Sequence, residues 1–300
     1  MRADVYERIT NQIIAELEKG VRPWLKPWSA EHSAGRITRP LRANGIPYRG
    51  INVVMLWSAA MDKGHVAPIW ITFKQAKAVG ASVRKGEQGS LVVYADKITR
   101  RETDADTGEE SERQIPFMKG YTVFNVEQVE GLPPHFHAAA APPTETVQRI
   151  GQAETFFAAT GANVIHGGSR ACYIPSTDSI HMPCIDLFKD AISYYGTRGH
   201  ETIHWTRHPS RLDRDFGRKR FGDEGYAMEE LVAELGAAFL CADLELTPEV
   251  REDHVSYIAW WIKVLKDDKR AIFTAAAHAQ RAADFLHGLQ SHAAAESAAA

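Results

Sequence analysis

Apolar positions along the chain recur with two periods, and the period changes at turn-forming residues. Val5, Ile9, Ile13, Ile14 and Leu17 stand at helical spacing and predict a helix over residues 3–19. Short helices are predicted over 53–63 and 73–79, the second opened by Thr72 as N-cap. Residues 90–98 (SLVVYADKI) and 115–124 (IPFMKGYTVF) read as two strands paired across a polar turn. Beyond them, helical periodicity covers 145–160, 190–206, 224–242, 248–267 and 270–289. Short strand patterns lie at 163–166, 171–175 and 179–182, the last two forming a hairpin closed by Pro-Ser-Thr-Asp.

Between these two runs lies GLPPHFHAAAAPPTET, rich in Pro and Ala and without apolar periodicity, which reads as a semi-rigid linker. The expected fold class is therefore α+β in two domains. A mixed α/β domain spans 1–130, a Pro/Ala-rich linker 131–145, and a mainly helical domain with a small sheet 146–292. Residues 293–300, with no apolar face to pack, are expected to be a disordered tail.

Composition changes this picture little until it is divided. The 300 residues are 44% apolar and 24% charged, ordinary for a globular chain and enough for two separate cores. No apolar run is long enough to span a membrane, and no secretory signal pattern opens the chain. Three cysteines (Cys172, Cys184, Cys241) exclude a disulfide scaffold, read as core residues and fit a reducing cytoplasm. The net charge of −3 hides an asymmetry: residues 1–99 carry 15 basic and 8 acidic side chains, whereas 131–300 carry 16 and 22. A basic first third joined to an acidic remainder points to two domains with different partners.

The chemistry concentrates at His200-Glu201-Thr202-Ile203-His204. Two histidines one helical turn apart project from one face and can reach one ion, and the intervening Glu can reach its water. A second helix follows, with Glu230 and Glu234 on one face and Ala233, Gly236 and Ala237 small enough for close helix approach. This pattern assigns His200, His204 and Glu230 as metal ligands and Glu234 as the outer acid orienting a histidine. Glu229 is the alternative third ligand, because one residue of helix register decides between them. Glu201 is the candidate general base. Tyr226 or His208 is the candidate donor to a developing oxyanion. Zn2+ suits the donor set, and another divalent ion such as Mn2+ is accepted by the same ligands. The hairpin at 171–182 precedes this helix, and its edge can hold an extended peptide.

The first third interleaves aromatic and basic residues, as single-strand binding requires. Trp57, Trp70 and Phe73 stand among aliphatic residues and read as core. The candidate DNA contacts are Trp24, Lys26, Trp28, Arg42, Asn44, Tyr48, Arg49, Asn52, Lys74, Arg84 and Lys85. No G-x-x-x-x-G-K phosphate loop and no acid cluster suited to two magnesium ions occurs, which argues against primer synthesis and nuclease chemistry.

With these residues in place, the chain resembles the ArdC antirestriction proteins of conjugative plasmids over nearly its whole length. WLKPW, PLRANGIPYRGINVVML and WITFKQAKAVGASVRKGEQG look like the single-stranded-DNA-binding domain of that family. HETIHWTRHPSRLDR followed by YAMEELVAELGAAFLCADLEL looks like its zincin-like metallopeptidase domain, and related domains occur in the accessory portion of TraC-type plasmid primases. The third-ligand helix is also similar to that of gluzincin metalloproteases. The resemblance implies antirestriction during plasmid entry and binding of single-stranded DNA. It also implies a peptidase-like domain whose substrate would be a host restriction component or another host protein. Two other functions fit the same residues: a DNA-tethered, SprT-like metalloprotease, and a DNA-binding module on a non-catalytic zincin platform. A restriction inhibitor that mimics DNA charge would need a far more acidic chain than one of net charge −3.

Overall fold

The computed structural model describes residues 4–24, 38–103, 110–136, 146–217, 223–246 and 255–299. Among these, the first region contributes α1 (Val5–Glu18), β1 (Leu41–Arg42), α2 (Ile51–Lys63), β2 (Ile69–Ile71), α3 (Phe73–Ala78) and β3 (Ser82–Val83). It continues with the long hairpin β4 (Ser90–Thr103) and β5 (Glu110–Asn125), then β6 (Val129–Glu130). The second region contributes α4 (Thr146–Ala158), β7 (Asn163–His166), β8 (Cys172–Ile174) and β9 (Ser179–Met182). The remaining helices are α5 (Ala191–Trp205), α6 (Glu224–Asp243), α7 (Val255–Asp267) and α8 (Ala271–Ala299). The α+β class and the mainly helical second region agree with the expectation, and every helix and long strand expected from periodicity has its counterpart.

Three sheets organise the strands. The first has the order β1-β2-β5-β4, with β1 parallel to β2 and the other pairs antiparallel. β3 and β6 make a separate two-stranded ladder. In the second region β9 lies between β7, parallel to it, and β8, antiparallel to it, so β8 is an edge strand. Of the strands of two or three residues, β8 has its counterpart in the hairpin expected from sequence, whereas β1, β2, β3 and β6 are too short to show a period.

Local signals set the helix starts. Thr72 and Gln75 form a reciprocal capping box at α3. Asp190 accepts from the Ser193 N–H at α5 (2.7 Å), and Asp223 accepts from the Tyr226 N–H at α6 (2.8 Å).

Four expectations need correction. First, two separate cores are not what forms. One apolar cluster runs from Ile9, Leu17, Leu56 and Val92 of the first region to Leu231, Phe239, Trp261 and Leu286 of the second. α1 packs on α7, with Thr10 Oγ1 donating to the Lys269 carbonyl at 2.6 Å. A smaller satellite cluster gathers Ile71, Ala76, Val126, Val129, Leu132 and Phe136. Second, the linker begins later than its composition indicates, because Leu132 and Phe136 are buried in that satellite; residues 137–145 lie outside the described residues. Third, α8 continues through Ala299 where a disordered tail was expected. The alanines that leave the tail without an apolar face are also the strongest helix formers. Fourth, only Cys241 is buried; Cys172 on edge strand β8 and Cys184 in the turn after β9 are exposed. Of the acidic stretch 102–112 expected as a hairpin tip, residues 102–103 and 110–112 extend the paired strands; residues 104–109 and the predicted start of α7 at 248–254 lie outside the described residues.

Candidate metal centre

α5 and α6 pack closely enough for facing side chains to share one point. Gly236 makes that approach possible: a Cβ there would lie 2.8 Å from Ile203 Cδ1. The contact sets His200 and His204 opposite Glu230. His200 Nε2 and His204 Nε2 are 3.2 Å apart, and each lies 3.5 Å from a different oxygen of Glu230. Ligands about 2.0–2.2 Å from a tetrahedral ion stand about 3.3–3.6 Å from one another. The donor set and its spacing therefore fit a divalent ion. All three residues are buried or nearly so, and no other cluster of His, Cys, Asp or Glu with this spacing occurs among the described residues.

The neighbouring acids divide the outer positions. Glu229, one residue earlier on α6, turns away from the shared point and meets His204 Nδ1 at 3.0 Å. Arg214 grips Glu229 through Nε and Nη2 at 2.8 Å each and donates to the Ile203 carbonyl at 2.9 Å. Glu234 Oε1 stands 3.7 Å from His200 Nδ1, the outer place foreseen for it. Between Glu229 and Glu230 the geometry therefore favours Glu230 as the third donor. Burial works against ionisation of both, but the imidazoles at Glu230, and Arg214 with His204 at Glu229, outweigh it and hold both carboxyls well below their ordinary range.

Glu201 is buried, and its Oε2 accepts the Tyr173 N–H of β8 at 2.9 Å. The hairpin is itself tied down. Asp178, at the turn, accepts from Arg211 and, at 2.9 Å, from the Tyr173 hydroxyl, while the Arg211 guanidinium lies 3.8 Å over the Trp205 ring. Tyr226 stands beside the centre, but its hydroxyl is engaged with Tyr257 (2.9 Å) and Glu230. Burial, then Glu230, pushes its ionisation upward, so it stays a phenol. His208 is occupied in a turn with Ser210 (2.8 Å).

The predicted DNA contacts do not form one surface. Trp24 is fully buried, edge-on to Trp261 with ring centres 5.7 Å apart, and Tyr48 is buried beneath Arg42. Neither ring is open to a base. Flanking Pro and Lys marked them as exposed, but the second region covers Trp24. Asn52 exchanges two 2.8 Å bonds with the Val93 backbone and so pins β4 to α2. Arg49 pairs with Asp284, and Arg84 with Glu87. Arg42, Asn44, Lys74 and Lys85 are exposed; Lys26 and Trp28 lie outside the described residues. Two aromatics missed from sequence are open: Phe73 (51% exposed), with the Lys77 ammonium 5.9 Å over its ring, and Tyr94 (50%), beside Phe117. Phe73 stands four residues before Lys77 at the first turn of a capped helix, a signal outweighed by its apolar neighbours Ile69 and Ile71.

Comparison with known proteins agrees with this division. The zincin-like metallopeptidase family MPTase-PolyVal matches residues 151–278, and the N-terminal domain of anti-restriction factor ArdC matches residues 3–124. The uncharacterised protein y4eC of Sinorhizobium fredii is 45% identical over 97% of this chain and 94% of its own length. DNA primase TraC of Escherichia coli is 40% identical over 94% of this chain, which spans only 27% of the primase. The crystal structure of metal-free antirestriction protein ArdC from plasmid R388 superposes with a TM-score of 0.81 at 46% identity, covering 96% of this chain and 98% of that one. Its Mn(II)-bound form gives 0.78 and 44%. Paired histidines facing a carboxylate, an ArdC-type first region fused to a zincin-like second, and likeness across both regions together place this chain in the ArdC family of antirestriction proteins.

Proposed function

We propose that this chain is a plasmid antirestriction protein acting in the cytoplasm, where it binds single-stranded DNA without sequence preference and protects incoming conjugative DNA. Its second region is read as a metallopeptidase centre with a host restriction component or another host protein as substrate. The observation that carries the metal reading is the convergence of His200, His204 and Glu230 at donor separations of 3.2–3.5 Å. Zinc or manganese held there supplies Lewis acidity, and zinc lowers the pKa of a water to about 7.

The chain's own residues do the rest. Glu201, fixed by the Tyr173 N–H, takes a proton from the attacking water and returns it to the departing amine. Tyr226 and Glu229 hold the ligands Glu230 and His204 in orientation. An extended peptide added to the β8 edge would run beside Glu201. Support for DNA binding comes from exposed Phe73 with Lys74 and Lys77 on α3, where a base stacks on the ring and the ammonium groups meet phosphates. No helix of the described residues is long and apolar enough to cross a membrane.

The test is conjugative transfer into restricting and non-restricting recipients with the intact chain, with none, and with Glu201→Gln. Loss of the chain lowers transfer into restricting recipients alone; equal transfer would refute antirestriction. Glu201→Gln retains metal and DNA binding and loses protection if peptide cleavage is the mechanism. Protection that survives the change refutes cleavage and makes the zincin fold a binding platform.

A further inference from the structure

The two histidines of the centre are each backed by a carboxylate, and each carboxylate is backed by a buried arginine. One relay is local: His204, Glu229 and Arg214 all belong to the second region and are joined at 2.8–3.0 Å. The other crosses the molecule at ion-pair rather than hydrogen-bond distances. Glu234 places Oε1 3.7 Å from His200 Nδ1 and Oε2 3.6 Å from Nη1 of Arg22, which belongs to the segment leaving α1 in the first region.

Arg22 and Glu234 are both buried, with side-chain exposures of 4% and 6%. Opposite charges placed together in the interior offset part of the cost of removing each from water. The pairing also balances the site. Arg214 offsets Glu229 and Arg22 stands against Glu234, while Glu230 faces the two histidines. Two further contacts tie the first region to the second near the Arg22–Glu234 pair. Trp24, two residues after Arg22, is sealed against Trp261. Arg39 grips Asp243, nine residues beyond Glu234 on α6, through Nε at 2.6 Å and Nη2 at 2.7 Å.

We infer that Arg22 is a positioning residue of the metal centre: the ArdC-type first region completes the orienting shell of His200 and thereby sets the affinity for the ion. The inference rests on the reading of His200, His204 and Glu230 as ligands. It makes the centre a property of the whole chain rather than of the zincin-like region alone.

The experiment uses the full-length chain. Zn2+ affinity is measured by competition with a chromophoric chelator, and the Co2+ form is followed by its visible spectrum, for wild type, R22M, R22K, E234Q, R22M/E234Q and E230Q. Circular dichroism and thermal unfolding of the metal-free proteins verify the fold. Loss of an orienting partner weakens metal binding by about 10–100-fold, so R22M and E234Q are each expected to bind about tenfold more weakly with altered Co2+ bands. R22M/E234Q is expected to be no weaker than E234Q, because Arg22 acts through Glu234. R22K keeps the charge on a differently shaped head group and covers the case in which R22M does not fold. It is expected to lose about threefold.

Unchanged affinity and spectrum in the folded arginine variants overturn the inference. So does an R22M loss that adds in full to that of E234Q, which would mark a general effect on the fold. E230Q separates the two levels of the argument. If E230Q binds like wild type, the ligand reading fails and this inference falls with it. If E230Q abolishes binding while Arg22 variants bind normally, only the role of Arg22 is refuted.

Discussion

The two regions use charge in opposite ways. In the second, buried charges converge: His200, His204 and Glu230 meet at one point between α5 and α6, backed by Glu229, Glu234 and Arg214. In the first, several arginines reach the second region, Arg22 and Arg39 from buried positions and Arg49 at the surface. Arg22 meets Glu234, Arg39 meets Asp243 and Gln280, and Arg49 meets Asp284. The basic excess over residues 1–99 and the acidic excess over 131–300 are therefore in part complementary faces of one intramolecular interface. A segmental charge count identifies an electrostatic partner without saying whether that partner is DNA or the rest of the same chain.

The sharpest way to break this comparison is Trp24→Ala. As a buried core ring, Trp24 should cost about 3–5 kcal/mol of unfolding free energy when truncated, read by urea titration. If stability is kept and only single-strand affinity falls, the ring is a DNA platform and the comparison fails. Arg214→Met comes next. It strands Glu229 in the interior and should cost about 3 kcal/mol in the metal-free protein, with weakened metal binding. A stable variant with normal metal affinity would show that the convergence of charges in the second region is dispensable. Phe73→Ala is smaller: fluorescence anisotropy should report about tenfold weaker binding of an unstructured oligonucleotide with the melting temperature unchanged. Affinity of the wild type should fall steeply with salt, and an affinity indifferent to both changes would remove α3 from the DNA face.

The smallest effect concerns the interface itself. Burial raises the Asp243 carboxyl, but the hydrogen bond from His287 and the charge of Arg39 outweigh it and hold the group below its ordinary value. A depressed carboxylate contributes stability that is fully present above its unfolded value of about 4 and is lost as pH falls through the lower folded value. Stability should thus decline below about pH 4, and Asp243→Asn should flatten that decline. An unchanged acid limb would mean that the pair adds nothing to the interface.

Legibility in the sequence followed the length scale of each feature. The helices over 5–18, 191–205 and 224–243 were readable because their periodicity is contained in one segment. The pairing of His200 with His204 was readable because four residues make one turn. Glu229 against Glu230 was not, since adjacent helical residues differ by about 100° and only the docking of α5 on α6 says which faces inward. Arg214 lies ten residues beyond His204 in an irregular segment, where spacing carries no direction. Trp24 and Tyr48 were misread because flanking Pro, Lys and Gly report local conformation, while burial is decided by elements far away in the chain.

By itself, then, the sequence determined the α+β class, the order of the main elements, the histidine pair with its following acids and the ArdC resemblance. All of these are carried by residues within a turn or a strand of one another, or by long contiguous blocks. Tertiary structure alone decided which glutamate meets which imidazole, that the two regions share one core, and that an arginine at position 22 stands beside a glutamate at position 234. Such contacts join residues far apart in the chain, and they exist only once apolar burial has brought their helices together.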